Sequence, residues 1–191
     1  MTSENGWPDV PGDTALSIRI PEAEPFLRAS EPAHITVLYP FLSAARITPE
    51  VDAELTALFA AHDAFDVAFT EFRRWPGVLY LPPADADPFR ALTASIRERW
   101  PEAVPYRGIF GPEGLDPHLT LANDEGPETY EAAYDALERE LRPRLPVTAH
   151  IGSVLLIETD GKGWRDRTVY ELGRAPGQPF RADASAIPTR T

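Results

Sequence analysis

Apolar and polar residues alternate from Thr14 to Ile20 (TALSIRI), the period of a strand with one face buried and one face wet. Ala33 to Phe41 (AHITVLYPF) is β-branched and aromatic, and it too predicts a strand. Pro49 to His62 changes period. Thr48 stands as an N-cap, Pro49 takes the first helical position, and Val51, Leu55, Leu58 and Phe59 recur at helical spacing. Phe65 to Phe72 and Val78 to Leu81 predict strands, with Pro76-Gly77 as a turn before the second. A helix opens at Asp87-Pro88 and runs to about Trp100 on a stripe of Phe89, Leu92 and Ile96. After a Pro/Gly-rich loop, Pro101 to Pro117, His118 to Ala122 predicts a strand. Pro127 to Leu141 predicts a third helix on Tyr130, Tyr134, Leu137 and Leu141. Pro146 to Glu158 and Thr168 to Leu172 predict a closing hairpin around Asp160-Gly161-Lys162-Gly163.

Twice, then, a strand is followed by a helix and further strands, a loose internal duplication. We expect a polar leader over 1–13, one domain of two lobes over 14–174, and a frayed, aperiodic tail over 175–191.

Composition narrows what such a chain does. It has 191 residues, 43% hydrophobic and 25% charged, as in an ordinary globular protein. The 21 prolines fall between patterned segments and read as loop punctuation. A net charge of −12 argues against a face that wraps long duplex nucleic acid, yet leaves room for a local anion site. With no cysteine, disulfides and thiolate metal sites are excluded. No signal-like or membrane-spanning apolar run is present, so a cytoplasmic protein is expected, with no membrane partner.

The candidate chemistry lies in two strands. Residues i and i+2 of a strand share a face, so His34 and Thr36 project together while Ile35 and Val37 turn away. His118 and Thr120 do the same, with Leu119 and Leu121 behind them. A strand that only packed would gain nothing from that polar pair. At neutral pH one imidazole can be neutral and another protonated, so one ring can take a proton from an attacking oxygen while the other gives one to the leaving oxygen. Threonine hydroxyls can donate to the non-bridging oxygens of a phosphate. For both rings to reach one phosphate, their reactive nitrogens must lie roughly 5–8 Å apart. The plainer alternative is that these are ordinary hydrogen-bonded strand residues.

Other histidines carry less. His62 closes a helix and reads as structural, and His150 lacks a threonine partner. There is no His-x-x-x-His, so neither a metal nor another cofactor is expected. Gly111 to Gly114 lacks the Lys-Ser/Thr of a phosphate-binding loop. Tyr39 and Trp164 are candidate substrate-binding aromatics, with Trp75, Tyr80, Tyr106 and Phe110 behind them, while Lys162 and Arg165 beside Trp164 are candidate phosphate contacts. Arg73, Arg74 and Arg107 are candidates to rim or cover a cleft.

The motifs HITVLYPF and PHLTLAN resemble the two signatures of the 2H phosphoesterase superfamily, and within it the bacterial 2′-5′ RNA ligase (LigT-like) branch. The pattern holds from about Thr14 to Gly173. The resemblance implies an α+β, bilobal fold, with two pseudo-symmetric antiparallel sheets flanked by helices and a central cleft. It implies metal-independent phosphodiesterase chemistry on 2′,3′-cyclic phosphate ends of RNA or small nucleotides, with reversible 2′-5′ joining in some members. It also implies catalytic roles for His34, Thr36, His118 and Thr120. The expected partner is a small nucleotide or RNA 3′ end met by a monomer. The alternative is a module that binds nucleotide phosphate in the same cleft without turning it over.

Overall fold

The computed structural model describes residues 10–28, 31–123 and 127–173. The start of the predicted leader, residue 174 and the predicted tail over 175–191 lie outside the described residues. Residues 10–13, the end of that leader, are tied to the domain, because Gly12 N–H donates to the Thr159 carbonyl and its own carbonyl accepts from Ala44.

The strands are β1 (Thr14–Arg19), β2 (His34–Leu38), β3 (Phe65–Phe69), β4 (Arg73–Trp75), β5 (Val78–Leu81), β6 (Leu119–Asn123), β7 (Val147–Ile151), β8 (Ser153–Thr159) and β9 (Trp164–Glu171). The helices are α1 (Pro49–Ala60), α2 (Asp87–Arg99) and α3 (Pro127–Leu141). Seven strands form one sheet in the order β4-β5-β6-β2-β1-β8-β9, and β3 pairs with β7 in a second, two-stranded sheet. All pairings between these strands are antiparallel. The fold is α+β, as expected. Its two halves join along the antiparallel contact of β2 with β6, where Ile35 stands opposite Leu119.

Period-2 alternation gives the large sheet two unlike faces. One face carries Ile18, Ile35, Leu79, Leu81, Leu119, Leu121 and Leu156, all essentially inaccessible. The helices cover it. Phe59 of α1 packs on Tyr170 of β9, Thr93 of α2 donates to the Val37 carbonyl, and Tyr134 of α3 donates to the Gly77 carbonyl. Burial of each such leucine or isoleucine stabilises by about 1.5–3 kcal/mol, which fixes strand register: a one-residue slip would turn every one of them outward. The opposite face then has to present His34, Thr36 and Thr120.

Several elements differ from the expectation. Thr48 caps α1 through its hydroxyl, which accepts from Val51 N–H, and the helix ends at Ala60, two residues earlier than predicted. Tyr134, Leu137 and Leu141 are buried as the α3 stripe requires, while the Tyr130 side chain lies outside the described residues. The segment 146–158, predicted as one strand, is two strands that separate at Gly152 and enter different sheets. β9 begins at Trp164, four residues before the hairpin arm read from Thr168. The short strand β4 was not predicted by periodicity. No helix among the described residues is long and apolar enough to cross a membrane.

Candidate active site

The register of β2 and β6 builds the site. With Ile35 opposite Leu119 in an antiparallel pair, His34 stands opposite Thr120 and Thr36 opposite His118. All four share the face away from the helices. The two histidines are therefore a diagonal cross-strand pair, a separation of about 7–8 Å between positions, and the two threonines form the other diagonal.

Each imidazole is held the same way. His34 Nδ1 lies 2.7 Å from the Pro32 carbonyl oxygen, and His118 Nδ1 lies 2.7 Å from the Asp116 carbonyl oxygen. A carbonyl can only accept, so Nδ1 carries the proton in both rings and Nε2 of the neutral ring has a free lone pair. Neither Nε2 has a hydrogen-bond partner among the described residues. Burial pushes both rings below the ordinary imidazole value, opposed in each by its backbone bond. Arg19 lowers His34 further, and the His34 ring lowers His118 further.

The surroundings of the two rings differ. On the His34 side, Arg19 and Ser17 of β1 stand opposite His34 and Thr36. A cavity of about 180 Å³ opens there, lined among others by Arg19, His34, Thr36, Tyr39, Tyr106 and Trp164. Tyr39 meets Trp164 edge-on at 5.6 Å and Tyr106 at 6.2 Å. On the other side, His118 stands edge-on to Trp75 at 4.6 Å and to Tyr80 at 5.7 Å, with Trp75 and Tyr80 stacked at 4.1 Å. That half of the site is aromatic.

The Pro/Gly-rich loop closes one edge of the cavity. Tyr106 and Arg107 adopt left-handed backbone, φ 49° and 52°, at non-glycine positions. Such geometry costs on the order of 1–3 kcal/mol per residue and persists only when contacts hold it. Those contacts are present: Tyr106 N–H donates to the Tyr39 carbonyl, the Tyr106 hydroxyl bonds with Thr36, and Arg107 reaches Asp13 and the Tyr39 hydroxyl. Burial pushes the Tyr106 phenol up to about 12, so it keeps its proton at neutral pH.

Of the residues singled out in the sequence, His34, Thr36, Tyr39, Tyr106 and Trp164 line this cavity. Thr120 and His118 complete the seam beside it. Lys162 and Arg165 do not line it. Lys162 sits in the 160–163 turn, where Asp160 accepts from its backbone N–H, and Arg165 pairs with Glu158. Arg73 pairs with Glu71, and Arg74 is bound by Asp135 and Glu138 of α3. His62 bonds Ser95 and ties α1 to α2, a structural role. His150 pairs with Asp66 and lines a different cavity. Ser17, Arg19 and Glu31 line the His34 cavity and were missed. For Ser17 and Arg19 the signal existed: they are the polar positions of the TALSIRI alternation. Among the described residues no three His, Cys, Asp or Glu are gathered so as to hold a metal ion.

The α+β fold, with antiparallel sheets and helices, is similar to that of LigT and related phosphoesterases. The chain belongs to the 2′-5′ RNA ligase superfamily, whose family model matches residues 8–163. Among solved structures it is similar to a protein of Thermus thermophilus, with TM-score 0.56, 17% identity, and coverage of 85% of this chain and 98% of that one. It is also similar to Escherichia coli LigT complexed with 3′-AMP, with TM-score 0.54, 12% identity, and coverage of 86% and 100%. A protein described as a phosphoesterase matches with TM-score 0.54, 14% identity and the same coverage. A search of curated proteins returned no match.

Proposed function

We propose that this protein is a metal-independent phosphoesterase that opens 2′,3′-cyclic phosphates on small nucleotides or RNA 3′ ends. His34 and His118 are its acid–base pair, and Thr36 and Thr120 hold the phosphate. The observation that carries this reading is the mirrored support of the two rings: each Nδ1–H is committed to a carbonyl two residues upstream, 2.7 Å away. Each Nε2 is thereby left for the substrate, at diagonal positions of the β2–β6 pair.

In ring opening, the neutral Nε2 of one histidine takes a proton from water as the water oxygen bonds to phosphorus. The protonated Nε2 of the other gives its proton to the departing 2′ or 3′ ribose oxygen as that P–O bond breaks. The threonine hydroxyls donate to the non-bridging oxygens, whose charge grows in the transition state. A 5′-hydroxyl in place of water would give a 2′-5′ linkage through the same groups, the proton steps reversing for its cleavage. All named groups come from one chain, which supports action as a monomer. Structures of E. coli LigT with 3′-AMP, ATP and NADP+ lend support to a small nucleotide as ligand.

The test is a panel of nucleoside 2′,3′-cyclic phosphates assayed for ring opening in chelator. Turnover by the wild type, lost by orders of magnitude in H34A and in H118A, is the expected result. Retained turnover in both variants would sink the reading. Tight binding of a nucleotide with no ring opening on any member of the panel would favour the non-catalytic module.

A further inference from the structure

A second cavity, of about 210 Å³, opens beside the first on the sheet's open side, and Arg19 lines both. Its floor belongs to the same sheet face as His34 and Thr36. Leu155 stands opposite Ser17 on one side and Val169 on the other, so these three side chains share that face. The first cavity lies over Ala15, Ser17 and Ile157 near the start of β9, and the second over Ser153, Leu155 and Val169 farther along. A displacement of two to four residues along β8 is about 7–13 Å, the reach of an adjoining nucleotide.

The lining says what chemistry fits. Ile151, Leu155 and Val169 are apolar, and Val169 is left 56% exposed on the rim. The polar wall is Arg19, His150, Ser153 and Asp166. The one fixed cation of that wall, Arg19, is already answered by Asp166 at 2.9 Å, and the His150 ring bonds Asp66 at 2.7 Å. A second phosphate would meet little net positive charge. A neutral heteroaromatic ring would cover the exposed valine, lie against the His150 imidazole that Asp66 holds in place, and find donors and acceptors at its edge.

We propose that this cavity takes the nucleobase of the penultimate nucleotide, so that the preferred substrate is an RNA 3′ end of at least two nucleotides rather than a mononucleotide. The linking phosphodiester then passes Arg19, the residue common to both cavities. This rests on the phosphoesterase reading for its biological sense, but its test does not need turnover.

The test is calorimetric affinity for adenosine 3′-monophosphate, adenosine 3′,5′-bisphosphate and adenylyl-adenosine 3′-phosphate, with the wild type, V169E and H150A. We expect the dinucleotide to bind about tenfold tighter than the monophosphate, the scale of one docked base. The bisphosphate, which adds the phosphate without the base, should bind like the monophosphate. Both substitutions should bring the dinucleotide-to-monophosphate ratio towards one, and a ratio is insensitive to a uniform loss of folded protein. Equal wild-type affinities, a bisphosphate as tight as the dinucleotide, or a preference untouched in both variants would overturn the proposal. Absence of ring opening alongside the expected affinities would instead remove the catalytic reading and leave this subsite standing.

Discussion

The β2 half and the β6 half of the site hold their histidines alike and surround them differently. In both, a histidine at the sheet seam donates Nδ1–H to the carbonyl two residues before it. Yet β1 sets Arg19 and Ser17 beside His34 and Thr36, where β5 sets Tyr80 opposite Thr120 and Trp75 flanks His118. What repeats is the support of the imidazole, which in the proposed reaction moves the protons. What differs is the lining on either side, and in the proposed reaction only that difference can decide which way round a cyclic phosphate lies.

The comparison is broken most severely at the repeated part. H34A or H118A should each lower kcat by about 10³-fold or more, and the double variant should lose little beyond the worse single, because the pair acts as a unit. Single-turnover rates on a cyclic nucleotide check this. T36A and T120A should each cost about 10²-fold, mainly in kcat, since their donors matter most as charge develops. A change confined to KM would instead make the threonines ground-state contacts.

The pH dependence comes next in size. Both imidazoles are depressed, chiefly by burial. The kcat/KM profile of a pair needing one neutral and one protonated ring peaks between their two values, so its maximum should fall below about pH 6.5, with activity declining above it as the acid loses its proton. A bound phosphate favours the imidazolium, so ligand binding near pH 7 should take up protons, measurable in buffers of different ionisation enthalpy. The same depression has a stability consequence. As pH falls through about 6.5, the unfolded chain binds protons before the folded one, so stability is full above that range and drops below it. Denaturant melts of H34N against the wild type should show a shallower loss between pH 7 and 5.

The unlike surroundings give smaller effects of different kinds. W164A, on the cavity side, should raise KM several-fold, by the loss of one aromatic contact. W75A should act on His118 and move the pH profile more than KM. Identical responses would erase the asymmetry. K162A and R165A, outside the cavity, should change kcat/KM less than about twofold, as exposed charges usually do.

Much of the site was legible because strand alternation is local. Two residues of separation put His34 with Thr36 and His118 with Thr120 on one face wherever the strands end up. Thr48-Pro49 announced α1, and Asp160-Gly161-Lys162-Gly163 announced the last hairpin, through equally local chemistry. Partners in a sheet are not local. Nothing in either motif said that β2 and β6, more than eighty residues apart, would be neighbours, though the proposed chemistry requires it. Gly152 inside an apolar run was the available sign that one strand would become two. The TALSIRI alternation put Arg19 on a polar face but could not say that His34 would stand opposite it, and Lys162 and Arg165 do not line the cavity because closeness to Trp164 in the chain is not closeness to the cavity.

The most direct examination of the central claim is nitrogen NMR of the His34 and His118 rings during titration with inorganic phosphate, with resonances assigned by H34N and H118N. Both Nε2 signals should move along one saturation curve while both Nδ1 protons stay in place, as two rings meeting one anion require. Movement of only one ring, or two curves with different midpoints, would mean that the histidines do not share a phosphate.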